Sequence, residues 1–314
     1  MSNQPIHKPI KTSIGGQAVI EGVMMRGPQV TALSVRLPDN TISTEEWKTP
    51  SSSAWYKRTP FIRGIFNFVE SLTTGYKSLM MAAEKAGLDD QEEEPSPFEQ
   101  KLRQLLGDKF MPFLEGCILV VSLLIAIFFF IFLPTSIVGL LRNVFDHPLA
   151  LSALEGVIKM AILIGYLAAV SHMSDIHRVF MYHGAEHKTI FCYEHGEELT
   201  VENVRKYTRF HPRCGTSFLV IVLLLSILVS SFVTWDNVLM RVLLKIVCLP
   251  VIMSLSYECI KYAGRHDNLL TRILSAPGLW TQRLTTKEPD DSMIEVAIAS
   301  MKRVIPDDPN EALF

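Results

Sequence analysis

The chain has 314 residues and a nearly balanced charge, with 30 Lys and Arg side chains against 32 Asp and Glu side chains. It contains no basic stripe interleaved with aromatic residues, so its composition argues against a nucleic-acid partner. The mean hydropathy is positive because of a few long apolar runs, and these runs indicate a membrane protein.

Residues 1–86 predict a small N-terminal module that contains β-structure. Residues 14–28 are rich in glycine with apolar residues between, which indicates a strand with close backbone approaches. Residues 30–37 and 41–47 are rich in β-forming residues on either side of a Pro-Asp-Asn turn, so an antiparallel meander is the simplest account. Residues 61–86 predict an amphipathic helix that lies on the membrane or packs on the spans.

The glycine-rich stretch has two interpretations. Its glycines could serve a phosphate or carboxylate ligand, and Gln17, Glu21 and Arg26 would then be the polar contacts to that substrate. The alternative is a tight, buried β-bend without a ligand.

A linker and the membrane domain follow. Residues 87–112 begin as an acidic, proline-containing segment and end in a predicted short helix. Within residues 113–260, four apolar runs are long enough to cross about 30 Å of hydrocarbon, namely 116–141, 149–171, 215–235 and 238–260. The sequence therefore predicts a mainly α membrane protein with about four transmembrane helices and a small N-terminal β-containing module.

Two of the four runs contain charged residues. In the second run, Glu155 precedes Lys159 by one helical turn and can pair with it. In the fourth run, Arg241 and Lys245 have side chains long enough to extend to the membrane interface.

The distribution of cations predicts the orientation. Lys and Arg residues number 13 in residues 1–112, 6 in the loop 172–214 and 7 in residues 260–314, against one in each of the two remaining loops. The positive-inside rule then places both termini and the loop 172–214 in the cytoplasm. The tail 261–314, with an apolar-periodic segment at 291–304, is predicted to be folded.

The cytoplasmic loop carries an H-x-x-E-H motif formed by His183, Glu186 and His187, the order found on one helix in inverzincin metalloproteases. At about 100° per residue, the two histidines lie about 40° apart, and Glu194 falls between them on the same face. Glu186 lies about 100° from His187, where it could act as a general base without coordinating the metal. The motif predicts a catalytic zinc site, and a solvated helix face rich in His and Glu is the alternative.

A second cluster on the same loop contains two further metal donors, His211 and Cys214. Because the loop leaves one span and enters the next at the same membrane face, the two clusters are predicted to be neighbours. Either Glu194 or the pair of His211 and Cys214 would complete the coordination begun by the histidines of the motif.

Three polar residues are candidates for binding substrate near the metal. Arg26 or Arg213 could stabilise a developing oxyanion. Glu258 lies near the cytoplasmic end of the fourth span, where an ionisable residue is a functional candidate.

Five motifs resemble the YqhQ-like family of bacterial membrane proteins, a family of unknown function described as predicted metal-dependent enzymes. The motifs are GGQAVIEGVMMRGP, YHGAEHKTIFCYE, HPRCGTSF, SYE and TTKEPDD. The resemblance covers nearly the whole chain. It implies a metal site and a location in the bacterial cytoplasmic membrane, but no substrate.

The sequence thus favours a multi-pass membrane hydrolase that depends on a divalent metal, most simply zinc, and acts at the cytoplasmic face on a peptide or lipid-linked substrate. Glu186 would activate water in such an enzyme. The alternative is a non-enzymatic scaffold or transport-related factor in which the metal is structural and has four protein ligands.

Overall fold

The computed structural model describes residues 10–50, 54–87, 96–142, 147–233, 237–266 and 268–313. Most of the predicted acidic segment, residues 88–95, lies outside the described residues. The chain divides into two compact units: residues 1–88, 164–225 and 250–314 form the first, and residues 89–163 and 226–249 form the second. The first unit combines the N-terminal module, the motif loop and the tail. The domain boundaries drawn from the sequence stay predictions.

The first unit contains a four-stranded antiparallel sheet whose strands lie in chain order. The strands are β1 (Gly15–Val19), β2 (Gly22–Arg26), β3 (Val30–Arg36) and β4 (Ile42–Lys48). The predicted meander is confirmed, but the glycine-rich stretch forms two strands rather than one. Ile20 and Glu21 form the turn between β1 and β2, where Glu21 adopts a positive φ of 49°.

The α-helices of the described residues follow one another in chain order. They are α1 (Trp55–Arg58), α2 (Ile62–Lys85), α3 (Pro97–Leu106), α4 (Phe110–Ile127), α5 (Leu133–Leu140), α6 (Pro148–Val170), α7 (Ser174–Glu194), α8 (Val201–Arg205), α9 (Gly215–Ser230), α10 (Val238–Arg265), α11 (Leu269–Thr285) and α12 (Asp291–Val304). A π-helical segment, Phe128–Phe132, joins α4 to α5. Two short 3₁₀ helices, Gly107–Lys109 and Pro309–Ala312, complete the described helical structure.

The tail helix α12 belongs to the main apolar core of the first unit. Met25 of β2, Tyr182 of α7, and Met293 and Met301 of α12 are fully buried in one cluster. The helix begins after Asp290, whose carboxylate accepts a hydrogen bond from the Met293 N–H at 2.9 Å. The predicted tail helix is therefore confirmed, and it packs against the same core as α7.

Three helical stretches are long and apolar enough to cross a membrane: Phe113–Leu140, Pro148–Val170 and Val238–Arg265. They correspond to the first, second and fourth predicted spans. The third predicted span is helical only over the 16 residues of α9. At about 1.5 Å per residue, α9 is about 24 Å long and falls short of a hydrocarbon core of about 30 Å. Among the described residues, three spans of full length are therefore accompanied by one shorter apolar helix.

The charged residues of the second unit form a buried cluster. Glu155 pairs with Lys159 at 2.9 Å, as predicted. The prediction that Arg241 and Lys245 extend to an interface is wrong, since both are buried and bind the Glu155 carboxylate. Arg241 also donates a hydrogen bond at 3.0 Å to the Ser230 carbonyl at the end of α9, which accepts a second one from the Val233 N–H at 3.2 Å. The two cations are therefore held by partners within the second unit.

Candidate metal centre

Helix α7 places the two histidines of the H-x-x-E-H motif on one face. Asp175 lies in its first turn, where a carboxylate is favoured by the helix dipole. Gly196 follows the helix with a φ of 72°, so the predicted glycine cap is confirmed. His183 and His187 lie one turn apart, and their ring centroids are 4.4 Å from each other.

The segment after α11 crosses α7 at Gly184 and fixes the orientation of His183. A Cβ atom at Gly184 would lie 2.1 Å from the Lys287 carbonyl oxygen, so only glycine permits this approach. The Lys287 N–H donates a hydrogen bond to the Phe180 carbonyl at 2.8 Å. This crossing brings the Thr285 carbonyl oxygen to 2.8 Å from His183 Nδ1.

Both histidines direct Nε2 toward the same point. The Nδ1 atom of each ring lies beside a backbone carbonyl oxygen. His187 Nδ1 is 2.5 Å from the oxygen of Arg209, and His183 Nδ1 is 2.8 Å from the oxygen of Thr285. Because a carbonyl oxygen can only accept, Nδ1 carries the proton in both rings. In the neutral form of each ring the lone pair is therefore on Nε2, the tautomer that backbone carbonyls commonly select in metal-binding histidines.

Cys214 is the third donor. Its Sγ lies 3.1 Å from His183 Nε2, and the ligand atoms of His183, His187 and Cys214 are all within 4.8 Å of one another. Burial opposes ionisation of the thiol, but the two imidazoles lower the pKa of Cys214 well below its usual value. The pKa of His183 is raised, because the nearby thiolate more than offsets the effect of burial. The cluster thus favours the thiolate, the form that binds metals.

Glu186 borders this cluster with an unsatisfied oxygen. Its carboxyl group lies beside Gly16 of β1, where a Cβ atom would come within 3.1 Å of Glu186 Cδ. Its Oε2 atom is buried and has no hydrogen-bond partner among the described residues. Burial raises the pKa of Glu186, although His187 and His183 act in the opposite direction. A buried acceptor without a donor is rare and marks a position where a donor group would be stabilised.

The donors and the carboxylate face one cavity of about 460 Å³. Its wall combines β1 and the segment before it, the motif face of α7 and the turn that leads into α9. The polar side chains of that wall include His183, Glu186, His187, His211, Arg213 and Cys214.

Two of the predicted ligands lie outside the donor cluster. Glu194 accepts hydrogen bonds from Thr12 at 2.8 and 3.0 Å and is bound by Arg213. Burial would raise the pKa of Glu194, but His211, Arg213 and Thr12 together lower it to about 2. His211 Nε2 lies 3.9 Å from Glu194, and burial lowers the pKa of His211 to about 4. Glu194 shares the face of the histidines, but it lies seven residues beyond His187, about 10 Å along the helix axis. A shared angular position on the helix therefore did not bring Glu194 beside the two histidines.

The predicted substrate contacts of the N-terminal module lie in different surroundings. Gln17 lines the 460 Å³ cavity, and it also lines a second cavity of about 570 Å³ together with Arg26. Arg26 forms an ion pair with Glu70 of α2. Glu21 accepts two hydrogen bonds from Arg178, both 2.6 Å long, and thereby ties the β1–β2 turn to α7.

The remaining two candidates also have protein partners. Arg213 lines the 460 Å³ cavity, but its guanidinium binds Glu194 and donates to the Thr12 carbonyl at 2.9 Å. Glu258 binds Arg63 of α2 through two hydrogen bonds. The structure therefore brings together His183, Glu186, His187 and Cys214, with Gln17, His211 and Arg213 on the same cavity wall.

Sequence reasoning missed the groups that hold these ligands in place. The carbonyls of Thr285 and Arg209 act through the backbone, which residue type does not reveal. Gln282 is fully buried and holds the backbone of His211 through bonds of 2.8 and 2.7 Å. The motif TTKEPDD, which contains Thr285, was the one available signal that the tail contributes to the site.

Comparison with known proteins gives the family of the chain. Residues 59–307 match the family described as "Protein of unknown function (DUF1385)". The chain is 36% identical over 304 residues to "Uncharacterized protein YqhQ" of Bacillus subtilis (strain 168), an alignment that covers 95% of this chain and 94% of that protein. No solved structure matches the chain. The resemblance seen in the motifs is thus confirmed, and the chain belongs to the YqhQ-like DUF1385 family, whose function is unknown.

Proposed function

We propose that the protein is a metal-dependent hydrolase in which His183, His187 and Cys214 hold a divalent metal ion, zinc being the ion that fits best. The observation that carries this proposal is the convergence of two imidazoles and a thiolate beside the unsatisfied carboxylate of Glu186. Two histidines and a cysteine suit zinc, and three protein ligands are typical of its catalytic sites. The carbonyls on both Nδ1 atoms support the same assignment, because they preorient the rings.

Glu186 is the proposed general base. A bound metal ion would supply Lewis acidity toward water and toward a substrate carbonyl. The free Oε2 atom of Glu186 can accept a proton from water in the cavity. Because burial raises its pKa, the protonated carboxyl group can then return that proton to a leaving group.

We place this reaction at the cytoplasmic face of the bacterial cytoplasmic membrane, with both termini on the cytoplasmic side. The apolar helices support a membrane location. The excess of Lys and Arg in the segment before the first span, in the motif loop and in the tail supports the orientation.

Metal analysis of the detergent-purified protein tests the ligand set. We expect about one zinc ion per wild-type chain, as for a mononuclear catalytic site, and none after His183→Ala and His187→Ala are combined. His195→Ala is the matched control, because His195 is an exposed histidine directly after α7 and should leave the zinc content unchanged. A wild-type chain without zinc, or a double variant that retains it, would exclude the proposed ligands.

Glu186→Gln separates a catalytic metal from a structural one. With zinc loaded and 4-nitrophenyl acetate as the probe, we expect this isosteric variant to keep its zinc but to lose activity about 100-fold or more, as on removal of a general base. The alternative, a non-enzymatic scaffold or transport-related factor, predicts closed coordination by four protein ligands and no effect of the variant.

A Cys–His hydrolase is the second candidate, favoured by one observation. His183 Nε2 lies 3.1 Å from Cys214 Sγ while Nδ1 is held by the Thr285 carbonyl, an arrangement that also suits a thiolate nucleophile and its base. Cys214→His distinguishes the two mechanisms. A metal enzyme should retain zinc and Glu186-dependent activity because histidine also binds zinc, whereas a thiol enzyme should lose all activity.

A further inference from the structure

We infer that the substrate is an extended polypeptide segment that pairs with the free edge of β1 across the candidate metal centre. This inference rests on the proposed hydrolase function and adds the substrate class. Extended peptides commonly bind by adding a strand to an exposed sheet edge, where main-chain hydrogen bonds supply affinity.

Strand β1 is an edge strand, since the sheet order is β1-β2-β3-β4. Val19 pairs with Gly22 across the two-residue turn, and hydrogen-bonded pairs then alternate along the ladder. Gly16 and Ala18 fall on the non-bonded pairs, so their N–H and C=O groups point away from β2.

The free edge and the reactive groups share one space. Gly15 to Ala18 line the 460 Å³ cavity together with His183, Glu186, His187 and Cys214. Gly16 is exposed, whereas Glu186 is buried in the wall of the same cavity. A chain paired with Ala18 would therefore pass directly beside the donor cluster.

The glycines of β1 allow this close approach. A Cβ atom at Gly16 would lie 2.6 Å from the Met24 carbonyl oxygen and 3.1 Å from Glu186 Cδ, so any side chain would displace the carboxylate. A Cβ atom at Gly15 would meet nothing within 4 Å, so the face of the strand at Gly15 is open. Glycine in a strand often marks a place where another backbone approaches closely.

The cavity suits a polypeptide better than a phosphate headgroup. Its lining includes the apolar side chains of Ile14, Val179, Phe180 and Ile190, which can accommodate apolar side chains of a bound strand. The guanidinium of Arg213, which also lines it, is bound to the Glu194 carboxylate.

The reaction assigned to this complex is hydrolysis of one peptide bond. The oxygen of water forms a bond to the carbonyl carbon, and the C–N bond breaks. Glu186 takes one proton from the water and transfers it to the departing amine nitrogen, so no other reactant is required.

Removing one N–H from the free edge tests the pairing. Ala18→Pro deletes an outward N–H without deleting a bond to β2, and edge strands tolerate proline at such positions. The full-length, zinc-loaded protein is assayed in detergent with a mixed library of quenched-fluorescent decapeptides. We expect cleavage by the wild type and by Ala18→Ser, which keeps the N–H, and a loss of about tenfold or more in Ala18→Pro, as for a lost main-chain hydrogen bond.

A second measurement on the wild-type protein does not depend on the folding of a variant. Single N-methyl groups are placed in turn along the best-cleaved peptide. Strand pairing predicts that N-methylation lowers the cleavage rate only at every second residue, because a strand forms hydrogen bonds to its neighbour through alternate residues. Uniform sensitivity, or no cleavage of any library peptide by zinc-loaded wild type, overturns the peptide assignment.

The two proposals fail in different ways. Absence of zinc from the wild type, or full activity of Glu186→Gln, overturns the hydrolase itself. Hydrolysis of 4-nitrophenyl acetate that requires zinc and Glu186, without cleavage of library peptides, overturns only the inferred substrate class.

Discussion

The protein buries carboxylates in two regions, and it satisfies them differently. In the second unit, Glu155 Oε1 accepts hydrogen bonds from Lys159 at 2.9 Å and Thr135 at 3.2 Å, and Oε2 is bound by Arg241 at 3.3 Å. In the candidate metal centre, one oxygen of Glu186 has no such partner among the described residues.

This difference separates a structural ion cluster from a candidate reactive site. A buried carboxylate with saturated oxygens and three bound cations is stabilised within the protein itself. A buried carboxylate with an unpaired oxygen costs free energy in the folded state, and that cost is typical of sites that bind a further group. The hydrogen bonding of the carboxylate oxygens therefore distinguishes the two regions, whereas burial and charge do not.

Replacing Glu155 with alanine should have the largest effect on stability. The change leaves Lys159, Lys245 and Arg241 buried without their shared carboxylate, so we expect the free energy of unfolding to fall by about 3–5 kcal/mol. Denaturant unfolding in detergent measures this loss of free energy of unfolding. Val157→Ala, at an exposed position on the same helix, is the control and should change stability by about 0.5 kcal/mol or less. Equal effects of the two substitutions would show that the cluster is not structural.

Replacing Gly184 with alanine should have an intermediate effect, located at the metal centre. The new Cβ would push the Lys287 carbonyl away from α7, at an expected cost of about 1–3 kcal/mol. It would also displace the Thr285 carbonyl from His183, so we expect zinc affinity to fall about 10–100-fold. Zinc titration and thermal unfolding measure both effects. Gly165→Ala is the control, since a Cβ there meets nothing within 4 Å, and unchanged zinc affinity in Gly184→Ala would contradict the positioning role of the tail.

Acidification should have the smallest effect, through Glu194. Its pKa is lowered from 4.5 to about 2 in the folded protein, so it contributes stability above pH 4.5 that is lost as the pH falls toward 2. Between about pH 6 and pH 3 this loss should reach about 2 kcal/mol. Glu194→Gln should remove that part of the pH dependence in unfolding measurements, whereas Glu197→Gln should not. If the free energy of unfolding depended equally on pH in wild type and Glu194→Gln, this role of Glu194 would be excluded.

The sequence was most informative where structure depends on near neighbours. The meander, the tail helix, the glycine cap of α7 and three of the apolar spans were predicted because turn residues and hydrophobic periodicity act within a few residues. The third span was predicted too long, since the apolar run continues past Ser230 although the helix ends there. Composition alone cannot locate that end.

The placement of His183, Glu186 and His187 on one helix follows from their spacing, so their common site was accessible without coordinates. That Cys214, rather than Glu194, lies beside them could not be predicted from spacing, because it depends on a contact across 31 residues. The carbonyl that orients His183 comes from 102 residues away, and β1 lines the same cavity as Glu186 only because the sheet packs on α7. Local spacing determines which side chains share a face, whereas the distances that make those side chains a site are determined by long-range packing.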